Sequence, residues 1–153
     1  MTPDDKPKVK ISFFVDCIPV AQPRQRHTII NDRVHNYTPK GHPVQTFKSL
    51  VCFAAKRAYH GPLLEGPLRV SLLFLLPRPK RLIWKTKPMP RRWGTCKVDK
   101  DNLEKAFNDS LNGVIWVDDS QICDGCVQKK YAAGSESPGV IVYIETLEES
   151  ECL

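Results

Sequence analysis

The chain has 153 residues, with 23 Lys or Arg against 17 Asp or Glu, and a formal charge of +6 at pH 7. With 41% hydrophobic and 26% charged residues it describes a globular protein, and a chain of this length buries about two-thirds of its unfolded surface in one core, which excludes wholesale disorder. The longest apolar run, residues 72–76, is far shorter than the ~20 residues of a membrane helix; with a polar N-terminus that does not resemble a secretory signal, no membrane association and a cytoplasmic location are expected.

Taken in chain order, residues 1–8 read as a flexible N-terminus and residues 9–147 as one domain. Apolar residues alternate with polar ones from Val9 to Cys17, the period of a strand with one buried face, and Pro19 ends it. Residues 20–40 carry Arg24, Arg26, His27, Arg33, His35 and Tyr37 with little apolar period, and are expected to form a flexible basic loop that reaches a ligand. Val44, Phe47, Val51, Ala54, Ala55 and Ala58 recur at helical spacing, predicting a helix over 43–59 with Pro43 in its first turn and His60-Gly61-Pro62 beyond it. Residues 68–76 are apolar on both faces, the pattern of a central strand covered on each side.

The segment 78–97 contains eight cations, Arg78, Lys80, Arg81, Lys85, Lys87, Arg91, Arg92 and Lys97, and no acid. Pro79, Pro88 and Pro90 break it and Trp84 and Trp93 punctuate it, so a long basic loop is expected. A helix over 101–111 follows, stopped by Asn112-Gly113, then strands over 121–131 and 140–147, and an acidic frayed tail at 148–153. The expected fold is a small mixed α/β domain, two main helices on a sheet of about four strands. It lacks the glycine-rich turns of dinucleotide and P-loop folds.

Six cysteines are scattered through the chain, and in a reducing compartment they read as free thiols. Cys123 and Cys126 have the spacing of half a zinc site, but the second pair that a closed site needs is missing.

The chemistry concentrates in Lys97-Val98-Asp99-Lys100-Asp101-Asn102-Leu103-Glu104-Lys105 and in Trp116-Val117-Asp118-Asp119. Asp99 and Asp101 lie two apart where the chain enters a helix, so in extended backbone both carboxylates point the same way. Two such charges ~4 Å apart repel by about 1 kcal/mol in water and by more near a protein surface. A divalent cation with oxygen ligands, magnesium or manganese, offsets that, and a helix N-terminus favours both ionised groups. Lys105 stands one turn beyond Asp101, placed to meet a phosphate or a leaving oxygen, and Asp118-Asp119 returns further carboxylates after the helix. Taken singly these are ordinary features: an N-cap, a solvated pair, a turn. Together, beside eight cations, they are what phosphodiester hydrolysis requires: carboxylates for a metal and cations for a polyanion.

The two blocks resemble the D-x-D-N-L-x-K and W-x-D-D motifs of the RusA-type Holliday-junction resolvases, and Pro19-Val20-Ala21-Gln22-Pro23-Arg24-Gln25-Arg26 with Tyr37-Thr38-Pro39 resembles that family's first loop. The resemblance implies a homodimeric, Mg²⁺-dependent endonuclease, with Mn²⁺ able to substitute, that cuts four-way DNA junctions in recombination and repair. It implies Asp99, Asp101 and Asp119 as metal-binding and catalytic residues, Lys105 as the essential lysine, and Asn102 and Asp118 as supporting residues. Arg24, Arg26, Arg78, Lys80, Arg81, Lys85, Lys87, Arg91, Arg92 and Lys97 would hold DNA phosphates, and Trp84 or Trp93 could stack on an unpaired base. Lys100 departs from the apolar residue common between the two ligands, and the Cys123/Cys126 pair has no counterpart in the family pattern. The competing readings are a flap- or branch-directed nuclease of looser preference, a basic DNA-binding protein without catalysis, and a zinc-linked module using Cys123 and Cys126.

Overall fold

The computed structural model describes residues 6–38 and 40–152. Ten elements follow one another: β1 (Lys10–Asp16), β2 (Arg26–Ile30), β3 (Arg33–Tyr37), α1 (Pro43–Ala58), β4 (Leu68–Leu76), β5 (Arg92–Trp93), α2 (Lys100–Ser110), β6 (Ile122–Asp124), β7 (Val127–Tyr131) and β8 (Gly139–Thr146). The mixed α/β class with two helices matches the sequence expectation. The sheet has six strands, in the order β1-β8-β4-β7-β5 with β6 also beside β4, and β2-β3 forms a separate ribbon. No described helix is long and apolar enough to cross a membrane.

Strand alternation builds the core in rows. Ile11, Ile144 and Val70 lie side by side, as do Phe13, Val142 and Leu72, and Val15, Val140 and Phe74. Both helices cover this face: α1 packs on β1 and α2, and α2 reaches β7. Phe107 of α2 meets Phe74 edge-on, with ring centroids 6.4 Å apart. Helix α1 starts where predicted, because Pro43 takes the first turn and His42 Nδ1 accepts the Val44 N–H at 3.1 Å. Lys56 and Arg57 complement the helix dipole at its other end.

Five expectations change. The flexible loop expected over residues 20–40 contains the β2–β3 ribbon, closed by Asn31 and Asp32. The central strand β4 is covered by helices on one face only; on the other, Arg69, Ser71 and Leu73 are half-buried, and Leu73 continues a row with Ile141 and Phe14 that is open to solvent. The strand expected over 121–131 is two, β6 and β7, both parallel to β4. Gly125 separates them at φ 129°, where a Cβ would stand 1.8 Å from the Val70 carbonyl oxygen, so no other residue fits. The basic segment 78–97 is a folded strap with a 3-10 turn at Lys80–Leu82 and the edge strand β5, not a free loop. The acidic tail coils into a 3-10 turn at Glu149–Cys152, and Lys8 binds Glu151 and Glu145, so both Lys8 and the tail are pinned; residues 1–5, 39 and 153 lie outside the described residues.

Candidate active site

Helix α2 organises the acidic residues. Asp99 is its N-cap, and its Oδ1 accepts the Asp101 N–H at 3.2 Å, so one of the proposed metal ligands also caps the helix. Leu103, Ala106 and Phe107 bury one side of α2. Asp101 and Lys105, one turn apart, remain exposed on the other. The peptide leading into the motif is gripped from the sheet: Lys129 of β7 donates to the carbonyls of Cys96 at 3.0 Å and Val98 at 2.5 Å. From the other side, the Gln22 N–H donates to the Asn102 carbonyl at 2.9 Å. An open cavity of about 460 Å³ lies between the two segments, lined by Pro19, Val20 and Ala21 on one side and by Lys97, Val98, Asp99 and Asn102 on the other.

The second acidic block is returned to the far end of α2. Trp116 is fully buried and its Nε1 donates to Asn112 at 2.8 Å, which seats the returning chain beneath the helix exit. Asp118 then caps a short 3-10 turn, Asp119–Gln121, in a capping box with Gln121. The Gln121 side chain accepts the Val117 and Asp118 N–H groups and donates to the carbonyls of Leu64 and Gly66, each at 3.0 Å. Hydrogen bonds from Ser120 hold the Asp118 carboxyl below the usual range. Asp119 shifts the opposite way. Burial, then a shared hydrogen bond and like charge with Asp109, then the charge of Asp118, raise its carboxyl.

Asp109, Gln121 and Lys129 were not singled out in the sequence. Asp109 follows Lys105 as Lys105 follows Asp101, one turn at a time, which puts all three on one side of the helix. Gln121 is three residues past Asp118, the capping-box spacing. Lys129 had no local signal; its role depends on β7 lying beside the strap.

The three carboxylates implied by the resemblance are thus not gathered at one point. Asp101 and Asp109 are two turns apart, about 12 Å of helix rise, and Asp119 sits at the Asp109 end. Among the described residues, no three Asp, Glu, His or Cys side chains come close enough together to hold an ion. Cys123 and Cys126 are exposed free thiols.

The predicted cations divide. Arg24, Arg26, Lys80, Arg81, Lys85, Lys87, Arg92 and Lys97 are exposed. Arg78 is turned inward: Nε donates to Leu82 O at 2.5 Å and Nη1 to Pro90 O at 2.7 Å and Ala132 O at 3.3 Å. Arg91 forks onto Glu136, with its closest contact at 2.6 Å. Trp84 is half-buried beneath the Arg78 and Arg92 guanidinium groups, 5.1 and 5.8 Å from its ring centroid. Trp93 is 62% exposed.

The chain is 36% identical over 139 residues to YqaN of Bacillus subtilis (strain 168), itself uncharacterized, an alignment that covers 88% of this chain and 94% of that protein. Residues 16–145 match the family described as Endodeoxyribonuclease RusA. That span takes in the docked first loop, the basic strap, α2 with both acidic blocks and most of the sheet that positions them, and the chain belongs to the RusA endodeoxyribonuclease family.

Proposed function

We propose that this protein is a magnesium-dependent, structure-selective endonuclease that hydrolyses phosphodiester bonds at four-way DNA junctions, acting as a homodimer in recombination and repair in the cytoplasm. The observation that carries this reading is the attachment of both acidic blocks to one helix. The start of that helix is held by Lys129 and Gln22, and the exposed cations of the strap run directly into it.

The donors suit a hard divalent ion, since all are carboxylate oxygens. Magnesium takes one or two carboxylates and fills its remaining positions with water and substrate phosphate, so it does not need the enclosed cluster that is missing among the described residues. The facing carboxyls of Asp109 and Asp119 repel each other, and a cation relieves that repulsion. Asp99 and Asp101 would hold an ion at the start of α2, and Asp119, beside Asp109, would hold one at the far end of the helix. A bound ion would supply Lewis-acid polarisation of a phosphoryl oxygen and a bound water of lowered pKa.

The chain's own groups position the substrate and balance charge. Lys105 stabilises the negative charge that develops on the phosphorane or the leaving oxygen. Asn102 and Asp118 support the two acidic blocks, Asn102 through the peptide that anchors Gln22 and Asp118 through its turn. The exposed cations from Lys80 to Lys97, with Arg24 and Arg26, hold phosphates without reading bases. A two-fold dimer presents two such sites to the two symmetric strands of a junction. The open row of Phe14, Ile141 and Leu73 offers an apolar surface for that contact, with Phe14 44% exposed, and Phe14→Glu should shift a dimer toward the 17.4 kDa monomer by light scattering.

An end-labelled four-way junction incubated with Mg²⁺ should be cut in symmetric pairs near the branch, and should stay intact with chelator. Asp101→Asn should lower the rate by at least ~10²-fold, while junction affinity in chelator holds or rises because a charge facing phosphate is gone. A folded Asp101→Asn protein cutting at the wild-type rate would remove the reading. Equal cutting of flaps and junctions would point to the looser nuclease.

A further inference from the structure

The β2–β3 ribbon has no part in the chemistry at α2, yet it is built as a definite object. Asn31 and Asp32 close it with both residues left-handed, φ 51° and 59°, the two-residue connection whose twist suits a hairpin. Nine of its ten strand residues are exposed, and among the described residues it pairs with no other strand. A lone two-stranded hairpin is marginal in water, so a surface that this ribbon touches would contribute much to its order.

Its two faces differ. On one, Arg26 lies opposite Tyr37, Thr28 opposite His35 and Ile30 opposite Arg33. On the other, His27 bonds Asn36, and Ile29 lies opposite Val34; these two are 73% and 66% exposed. Residues 24–40 hold Arg24, Arg26, Arg33 and Lys40 against one acid, Asp32. The root of the ribbon is fixed at the start of α2, because Gln22 binds Asn102 and residues 19–21 share a cavity with Asp99.

We propose that the ribbon is a DNA-opening arm. Its cationic face lies along phosphates at a branch point, and the Ile29–Val34 pair wedges against the base step exposed there. The inference rests on the junction reading above and deepens it, by assigning recognition of the branch to residues outside the acidic motif. A two-stranded ribbon has the width of the major groove, and apolar side chains inserted at base steps unstack them. A branch point, where continuous stacking is already interrupted, is the least costly place to do so. A second copy of this chain is the rival occupant. A two-fold contact sets a surface against itself, so the cationic face would oppose its own Arg26 and Arg33 with only Asp32 in balance; the charge favours a polyanion.

The test uses a four-way junction carrying 2-aminopurine beside the branch, in chelator so that nothing is cut. The full chain is compared with an Ile29→Ser/Val34→Ser double variant and with Arg33→Gln, all at exposed positions. Binding of the full chain should raise 2-aminopurine emission. The double variant should lose that rise, and its preference for junction over linear duplex should fall about tenfold, the scale of one lost base-stacking contact. Arg33→Gln should flatten the log–log salt slope by about 0.9, one phosphate contact. A double variant that keeps both the rise and the preference overturns the arm. So does loss of the rise together with a halved light-scattering mass, because Ile29 and Val34 would then seat a second copy. If the full chain itself binds junction and duplex equally, the junction reading fails, and this is seen before any variant is made.

Discussion

Residues 24–37 and 78–97 are both rich in cations and fold in opposite ways. The strap turns two of its eight cations to internal use and leaves the other six exposed. Arg78 ties together the carbonyls of Leu82, Pro90 and Ala132, Arg91 is forked by Glu136, and Trp84 lies beneath guanidinium groups. The ribbon has one side-chain hydrogen bond among the described residues, His27 to Asn36, and leaves Arg26 and Arg33 in solvent. A count of positive residues therefore does not measure the charge on offer to a ligand. Carbonyls left open by proline-broken turns, and an aromatic ring beside them, turn an arginine into scaffolding.

Arg78→Ala should break that contrast most severely. Three carbonyls lose a donor and Trp84 loses one of the two guanidinium groups over its ring, and unsatisfied groups cost about 1–3 kcal/mol each. A loss of about 3 kcal/mol in urea unfolding is expected, and a loss below about 0.5 kcal/mol would make Arg78 as free as Arg33. Glu136→Gln tests the next layer and should cost about 1 kcal/mol at neutral pH, as for a partly exposed ion pair. Its signature lies in acid. Arg91 and the Ala133 N–H hold the Glu136 carboxyl down at about 2. A depressed acid contributes stability above its ordinary value of 4.5 and loses it as pH falls toward 2, so melting temperatures of the wild type and Glu136→Gln should converge across that window. The smallest effect is expected in the ribbon, where Arg33→Gln should change stability by less than about 0.5 kcal/mol; a larger loss would mean that the arm's cations also serve the fold.

Most of the sheet and both helices were legible in the sequence, because their signals are local. Pro43, the apolar spacing of α1 and the alternation of β1 each depend on neighbours along the chain. In the ribbon His27, Thr28, His35 and Asn36 dilute the strand period, so the local pattern predicts a loop, although Asn31-Asp32 is itself a hairpin signal. The break at Gly125 was invisible for another reason: what excludes a side chain there is Val70, on a different strand. The two acidic blocks stood out as motifs, but Asp109 did not. An acid in the last turn of a helix looks solvated until the returning chain sets Asp119 against it.

The placement of β8 has a consequence for how the protein is made. Gly139–Thr146, the last strand in the sequence, lies between β1 and β4. A ribosome must therefore deliver β8 before the two earlier strands can acquire the neighbour that joins them. Until then their edges and apolar faces stand open, the condition in which nascent chains aggregate or recruit chaperones. A chain truncated before residue 139 yields no smaller version of the domain, only a chain without a centre.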